Sequence, residues 1–343
     1  MLLMDFLKEE YSAINLKEKN KLKNKTVLIT GGNGLIGSNI ISYFQFLNKT
    51  ENLNIKMLVH SFSKPVNWLP LEDNIEYFNS DLNEGFPNWK FDYLINTATY
   101  GQPKKFLQNK LQTIKLNTET YTKLLELAKE NNATVLHMSS SEAYGQVPAD
   151  RESVDENYNG DINTFAPRAI YGESKRLSET ISKVFIDDGL DIKIIRLAIG
   201  YGAGVKYDDA RFINEFIKKA VNNGELAMMD EGKVLRQLSF ITDTIEMILN
   251  IMLSGQDVIY NVGGIDLKSI REIAEAIAKN EGVEVKLPEV SSSVGGTPKS
   301  LILDITKYIN EFGCPDFIPY EKGLAKTAQW LKVLKEESVK VYN

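Results

Sequence analysis

Short runs of β-branched and other apolar residues alternate along this chain with longer stretches whose apolar positions recur at helical spacing. The runs predict strands over 26–30 (TVLIT), 54–60 (NIKMLVH), 75–78 (IEYF), 93–98 (YLINTA), 134–139 (TVLHMS) and 192–197 (IKIIRL). Their near-continuous apolarity suits strands covered on both faces. Helical spacing predicts crossover helices over 35–47, 107–131 and 167–187, the last opening with a proline where a missing amide costs least. Such alternation implies an α/β fold with a Rossmann-type, doubly wound parallel sheet over 25–197.

Residues 1–24 read as an amphipathic lead-in. After Leu197 the texture changes to Gly-rich turns, a helix over 211–221, strands near Leu226 and Leu238, and helices near Thr242, Lys268 and Glu321. These pieces, within 198–343, predict a smaller C-terminal α+β substrate lobe, with some segments returning to the sheet. No repeat of fixed period or low-complexity tract interrupts the chain. The nearest approach to a linker is the loop over 146–166, which is long enough to touch a substrate.

Composition narrows the classes. With 343 residues, 43% hydrophobic and 25% charged, the chain can bury a large core plus an appended lobe, which excludes disordered and fibrous proteins. No run approaches the roughly 18 apolar residues of a spanning helix, and the start MLLMDFLKEEYS turns acidic too early for a signal peptide. A cytoplasmic protein without membrane contact is the expectation. Cys314 is the sole cysteine and His60 and His137 the only histidines, so neither an intrachain disulfide nor a metal centre is expected. The net charge of −6 argues against a nucleic-acid face, and the basic run 17–25 reads as a solvated lead-in.

The candidate chemistry begins at ITGGNGLIGSNI, where Gly31, Gly34 and Gly37 stand between the first strand and the first helix. Gly31 allows a tight turn, Gly34 lets the backbone approach a pyrophosphate, and Gly37 lets the helix pack close to the sheet. Leu35 and Ile36 open that helix, whose N-terminus faces the anion. An acidic residue commonly ends the second strand and holds the adenosine ribose. Here His60 stands there, followed by Ser61, Ser63 and Lys64, so NAD or NADP is expected, with NAD placed first. Asp81, after the third strand, is a candidate for the adenine edge and equally a local cap.

Tyr171 and Lys175 share one helix face in AIYGESKRLSET. A nearby ammonium and a positive nicotinamide ring favour a phenolate able to accept the proton of an alcohol as hydride leaves carbon. The fifth strand runs into HMSSSEAYG, which presents Ser139, Ser140, Ser141 and Glu142 at the carboxyl edge of the sheet, where open α/β sheets bind ligands.

Together these residues resemble the extended short-chain dehydrogenase/reductase family, in its NAD-dependent epimerase/dehydratase branch acting on nucleotide sugars. The resemblance runs from about Lys25 to Gly313 and rests on TGGNGLIG, KLNTETYTKLLELA, SSSEAYG, YGESK, RLAIGYGAG and RQLSFITD. It implies that Ser140 is the catalytic Ser/Thr, Tyr171 the base, Lys175 the nicotinamide-ribose ligand and Asn117 the structural Asn. It adds Leu82 and Ala98 to the cofactor contacts. Ser141, Arg168 and Arg236 become substrate contacts, with Arg236 on the diphosphate. A homodimer joined through the helices from Leu107 and Pro167 is also implied.

The Ser-Glu pair after Ser140 resembles 4,6-dehydratases and UDP-glucuronate decarboxylases. With carbon 4 of the nucleotide-diphosphate sugar oxidised, Glu142 could remove the acidified proton at carbon 5 so that water leaves carbon 6. The expected order is 4,6-dehydration, then 4-epimerisation or 4-oxidation, then decarboxylation. Ile199 and Ala203 depart from the usual asparagine and proline of the family, and GGTPKSLILDITK resembles epimerase-reductases with no matched arginine for a hexuronate. The competing readings are a non-catalytic dinucleotide sensor and a reductase of a non-sugar substrate.

Overall fold

A computed structural model describes residues 1–148, 150–288 and 300–341. The GGTPK part of the C-terminal motif lies outside them. The strands are β1 (Thr26–Thr30), β2 (Lys56–Ser61), β3 (Ile75–Asn79), β4 (Tyr93–Asn96), β5 (Thr134–Met138), β6 (Ile192–Leu197), β7 (Ile199–Tyr201), β8 (Glu225–Ala227), β9 (Leu235–Phe240), β10 (Ile259–Val262), β11 (Asp266–Ser269) and β12 (Glu284–Lys286). Seven of them form one sheet in the order β10-β6-β5-β4-β1-β2-β3, with every neighbouring pair parallel. The doubly wound α/β reading is correct, and the order reverses between β1 and β4, the switch point at which such sheets bind ligands. β10 joins the sheet at the β6 edge from beyond residue 197.

Alternation along the strands divides the core in two. Val27, Ile29, Val59, Ile95, Leu136 and Ile195 face one apolar layer, while Leu28, Leu94, Val135, Ile192 and Ile194 face the other. The helices are α1 (Leu3–Phe6), α2 (Lys8–Ala13), α3 (Leu35–Glu51), α4 (Pro103–Gln108), α5 (Lys110–Lys115), α6 (Tyr121–Glu130), α7 (Ala169–Asp187), α8 (Phe212–Asn223), α9 (Ile241–Ser254), α10 (Ile270–Glu281), α11 (Thr306–Phe312) and α12 (Tyr320–Val341). No helix among the described residues is long and apolar enough to cross a membrane.

Four expectations change. The helix predicted over 107–131 is broken at Asn109 and carries a π-turn, Leu116–Thr120, ahead of α6. Such turns concentrate at functional positions. The helix predicted from Pro167 starts two residues later, because Ala169 N–H closes a turn onto Ala166 before α7 begins. Around Lys268 the chain is strand β11, antiparallel to β9, and the helix follows it.

The basic run is docked rather than free: Lys17 Nζ donates to Phe312 O, Lys21 Nζ to Leu253 O at 2.8 Å, Lys19 pairs with Glu51 at 2.6 Å and Lys25 with Asp92 at 2.8 Å. Its interspersed Leu16 and Leu22 are buried, which brings the ammonium groups within reach of the last carbonyls of α9 and α11. Residues Leu3, Leu7 and Tyr11 likewise enter the core. There Trp330 of α12 meets Phe6 and Trp68 edge-on at 5.2 and 5.4 Å and donates Nε1–H to Val205 O at 2.9 Å. Trp330→Ala should therefore lower unfolding free energy by about 3–5 kcal/mol, read from denaturant midpoints at constant slope.

Candidate active site

The carboxyl ends of β1, β4 and β5 gather the predicted chemistry. After β1 the chain turns through Gly31 at φ +76°, where a Cβ would lie 2.8 Å from Thr97 Oγ1 and 2.9 Å from Ala98 N. At Gly37 a Cβ would stand 2.5 Å from Gly31 O, so the first turn of α3 sits directly against the glycine loop. Gly34 is the N-cap of α3 and nothing but Gly31 O comes near its missing side chain. The Leu35, Ile36 and Gly37 amides belong to the helix turn that lacks internal acceptors. This cradle fits a dinucleotide pyrophosphate.

At the adenosine end, His60 is buried, with Nε2 3.1 Å from Ser80 Oγ and Nδ1 without a partner. Burial holds its pKa below the ordinary histidine value. It supports the strand end, and the loop beyond is organised by Asn33. The Asn33 N–H donates to Ser61 Oγ at 3.0 Å, and its side-chain amide donates to Ser63 O, Ser63 Oγ and Lys64 O at 2.8–3.1 Å. Asp81 caps the turn Leu82–Glu84 by accepting Asn83 N–H at 2.9 Å, and Leu82 is buried beneath it. Ala98 donates its N–H to Thr30 Oγ1 at 3.4 Å.

Tyr171 and Lys175 lie on the buried face of α7. The Tyr171 ring stacks on Phe106 at 5.0 Å, and its hydroxyl faces those of Thr99 and Ser140, which favour its ionised form. Lys175 Nζ donates to Met138 O at 2.7 Å and lies 5.9 Å from the Tyr171 ring centroid. Burial, helped by the Glu142 charge, pushes the phenol up to about 12 against the Thr99 and Ser140 hydroxyls and the Arg211 charge, whereas the expected phenolate draws on a positive nicotinamide ring as well. Burial also brings Lys175 down to about 7, opposed by Glu179. The free protein thus holds a neutral phenol.

Ser140 caps the turn Ser141–Tyr144, its Oγ accepting Glu142 N–H at 3.2 Å. That turn aims Glu142 at Arg168, the N-cap of α7. Arg168 Nη2 donates to Glu142 Oε1, and Nε reaches Oε2 at 3.4 Å. Arg236 on β9 comes close enough that burial first, and then the Arg168 charge, lower its pKa, while Glu142 raises it. The structure thus brings Ser140, Glu142, Arg168, Tyr171, Lys175 and Arg236 together, with Ser141 half-buried at the turn's start.

Asn117, in the π-turn, accepts from Thr99 Oγ1 at 3.0 Å and donates to Ser174 Oγ at 2.9 Å, so it fixes the loop that carries Thr99. Sequence reasoning missed Thr99, Phe106 and the Gln102–Asp209–Arg211 chain, in which Asp209 accepts from Gln102 at 2.8 Å and from Arg211 at 2.8–3.1 Å. It also missed Glu179, which accepts from Ser139 Oγ at 2.5 Å and from Arg196 at 2.6 Å. Only Glu179 carried a signal, one helical turn beyond Lys175. Of the two departures, Ile199 sits half-buried in β7 and Ala203 is buried, its carbonyl accepting from Asn39 at 2.9 Å.

Residues 27–263 match the family model described as "NAD dependent epimerase/dehydratase family". The chain belongs to this family. UDP-glucuronic acid decarboxylase 1 of Danio rerio is 27% identical over 92% of the chain and 74% of its own length, and UDP-glucuronic acid decarboxylase 6 of Arabidopsis thaliana is 27% identical over 88% and 87%. Among solved structures, UDP-N-acetylglucosamine 4-epimerase from Methanobrevibacter ruminantium M1 superposes with a TM-score of 0.79 at 22% identity, over 91% of this chain and 99% of the other. The dTDP-glucose 4,6-dehydratase from Bacillus anthracis gives 0.74 at 21%, over 91% and 98%.

The protein is thus an enzyme of the epimerase/dehydratase family, and the glycine cradle fits the dinucleotide named in the family's description. Among the described residues no group of three or more His, Cys, Asp and Glu could hold a metal ion. Lys175 has a testable linkage. Its pKa of about 7 lies below the unfolded value near 10.4, so between these the unfolded chain binds the extra proton. Stability from this site therefore rises as pH climbs through that window and is lowest below pH 7. Lys175→Met should be more stable than the parent at pH 6, lose that advantage by pH 10, and turn over slower by about 10²-fold or more, as urea unfolding and initial rates will report.

Proposed function

We propose that the enzyme oxidises carbon 4 of a nucleotide-diphosphate hexuronate and releases the sugar's carboxyl group as carbon dioxide. The observation that carries this reading is the two-point ion pair between Arg168 and Glu142 beside Tyr171. A carboxylate held by a guanidinium is a poor base, and dehydration needs a base for the carbon 5 proton. Decarboxylation needs none. Once carbon 4 is a ketone the hexuronate is a β-keto acid, the bond to the carboxyl carbon breaks, and its electron pair passes into the carbon 4 oxygen. The relatives at 26–27% identity over about nine tenths of the chain bear the name UDP-glucuronic acid decarboxylase, which supports the same reading.

Bound NAD supplies the hydride acceptor, held by the Gly31–Gly37 loop and by Lys175. Tyr171 accepts the carbon 4 hydroxyl proton, and its neutral form can then donate to the enolate oxygen. Ser140 and Thr99 flank the phenol and favour its ionised form. Arg236 binds the diphosphate. The positive nicotinamide is the further charge able to pull the Tyr171 phenol down from about 12. NAD is preferred to NADP, as in the NAD-bound neighbours.

A 4,6-dehydratase is the second reading, favoured by the position of Glu142 two residues after Ser140 on a partly exposed turn. Incubation with UDP-glucuronate and with UDP-, dTDP-, GDP- and CDP-glucose, followed by mass analysis, distinguishes the two. Loss of carbon dioxide from the uronate is expected, and loss of water from a glucose nucleotide would overturn the first reading. Tyr171→Phe should retain NAD and lose at least about 10²-fold in rate.

The exposed apolar residues Leu111 and Ile114 of α5 and Leu177 and Val184 of α7 fit a homodimer joined through these two helices. Light scattering should give twice the 38.7 kDa chain mass, falling to monomer when Leu111 and Val184 are both changed to Lys.

A further inference from the structure

Arg168 is a guanidinium that already holds a carboxylate where the sugar must lie. It caps the N-terminus of α7 three residues before Tyr171, and its guanidinium carbon lies 5.7 Å from the Phe106 ring, which stacks on Tyr171 at 5.0 Å. The side chains of Arg168 and Glu142 keep 31% and 27% exposure, so a ligand can reach the pair. Arg236 stands beside them. Glu142 pairs with Arg168 alone and only lends its charge to Arg236, so positive charge exceeds negative among these three side chains.

We propose that Glu142 is an internal stand-in for a carboxylate on the sugar, and that a hexuronate enters by displacing Glu142 from Arg168. The inference rests on the hexuronate reading and assigns the specificity group for it. A uronate carboxylate has the same planar two-oxygen geometry as the Glu142 side chain and can take the same fork of donors. The exchange never leaves Arg168 unpaired, so the cost of stranding a partly buried charge is avoided. A hydroxymethyl group at the same carbon is neutral and cannot replace a carboxylate on a guanidinium. It would have to leave the ion pair in place and lie beside it, or break the pair uncompensated. Either route penalises neutral hexoses, and rejection of this kind exceeds what packing alone achieves. Arg236 remains free for the diphosphate, so the three anionic groups of the ligand meet two guanidiniums and the displaced glutamate moves off.

The test measures equilibrium binding of UDP-glucuronate and UDP-glucose to the NAD-loaded protein by calorimetry. The parent should bind the uronate at least about tenfold more tightly than the hexose. Arg168→Ala should bring that ratio close to one. Arg168→Lys, which keeps the charge but not the fork and is the fallback if the alanine variant does not fold, should leave an intermediate ratio. Glu142→Gln removes the competing carboxylate and should tighten uronate binding relative to hexose binding. If the parent prefers the uronate and both Arg168 variants preserve that preference, the inference is overturned while the hexuronate reading stands. If Glu142→Gln weakens uronate binding relative to hexose binding, Glu142 is no stand-in. A parent that binds both ligands equally would sink the hexuronate reading itself.

Discussion

A polar spine along the buried face of α7 holds the site together. Tyr171, Lys175, Ser178, Glu179 and Ser182 share one buried helix face, and the last four are met by partners on the sheet, the loop after β5 and α6. Lys175 reaches Met138 O, Ser178 lies 2.8 Å from His137 Nε2, Glu179 binds Ser139 and Arg196, and Ser182 lies 2.8 Å from the Tyr121 hydroxyl. Buried polar groups are costly unless satisfied, so α7 has one rotation and one depth at which all of these bonds close. That setting places the Tyr171 hydroxyl beside Thr99 and Ser140.

The same burial has an electrostatic consequence. It lifts Tyr171 and depresses Lys175, each toward its neutral form. The free protein is therefore not a standing phenolate and ammonium. His137, stacked on Tyr121 and held below its usual pKa by burial and by Lys175, contributes hydrogen bonds without adding a competing charge.

Above this floor, the positive corner of Arg168 and Arg236 and the Gln102–Asp209–Arg211 chain come from four separate parts of the chain. Tyr171 and Lys175 are thus fixed by the sheet and one helix, whereas Glu142 and Arg236 are carried on a turn and on β9. A loop on a rigid floor is the arrangement in which specificity can change without disturbing chemistry.

The strands, the glycine turn and the Tyr171–Lys175 face were legible because each depends on neighbours in sequence. Period-2 and helical patterns report burial, and a strand–glycine–helix turn admits few residues at Gly31 and Gly37. The break at Asn109, the π-turn at Leu116–Thr120 and strand β11 were not legible, since tertiary bonds such as Asn117 to Thr99 and Ser174 outweigh helical spacing there. Lys17–Lys25 looked solvated because charge pattern cannot reveal a carbonyl waiting on α9 or α11. By itself, the sequence determined the α/β class, the parallel sheet and the family. Only the tertiary structure decided that Glu142 is held by Arg168, that His60 turns inward, and that burial sets the protonation of Tyr171 and Lys175. Those outcomes depend on residues far apart in the chain being brought together and buried, because ion pairing follows separation and dielectric, and desolvation follows burial.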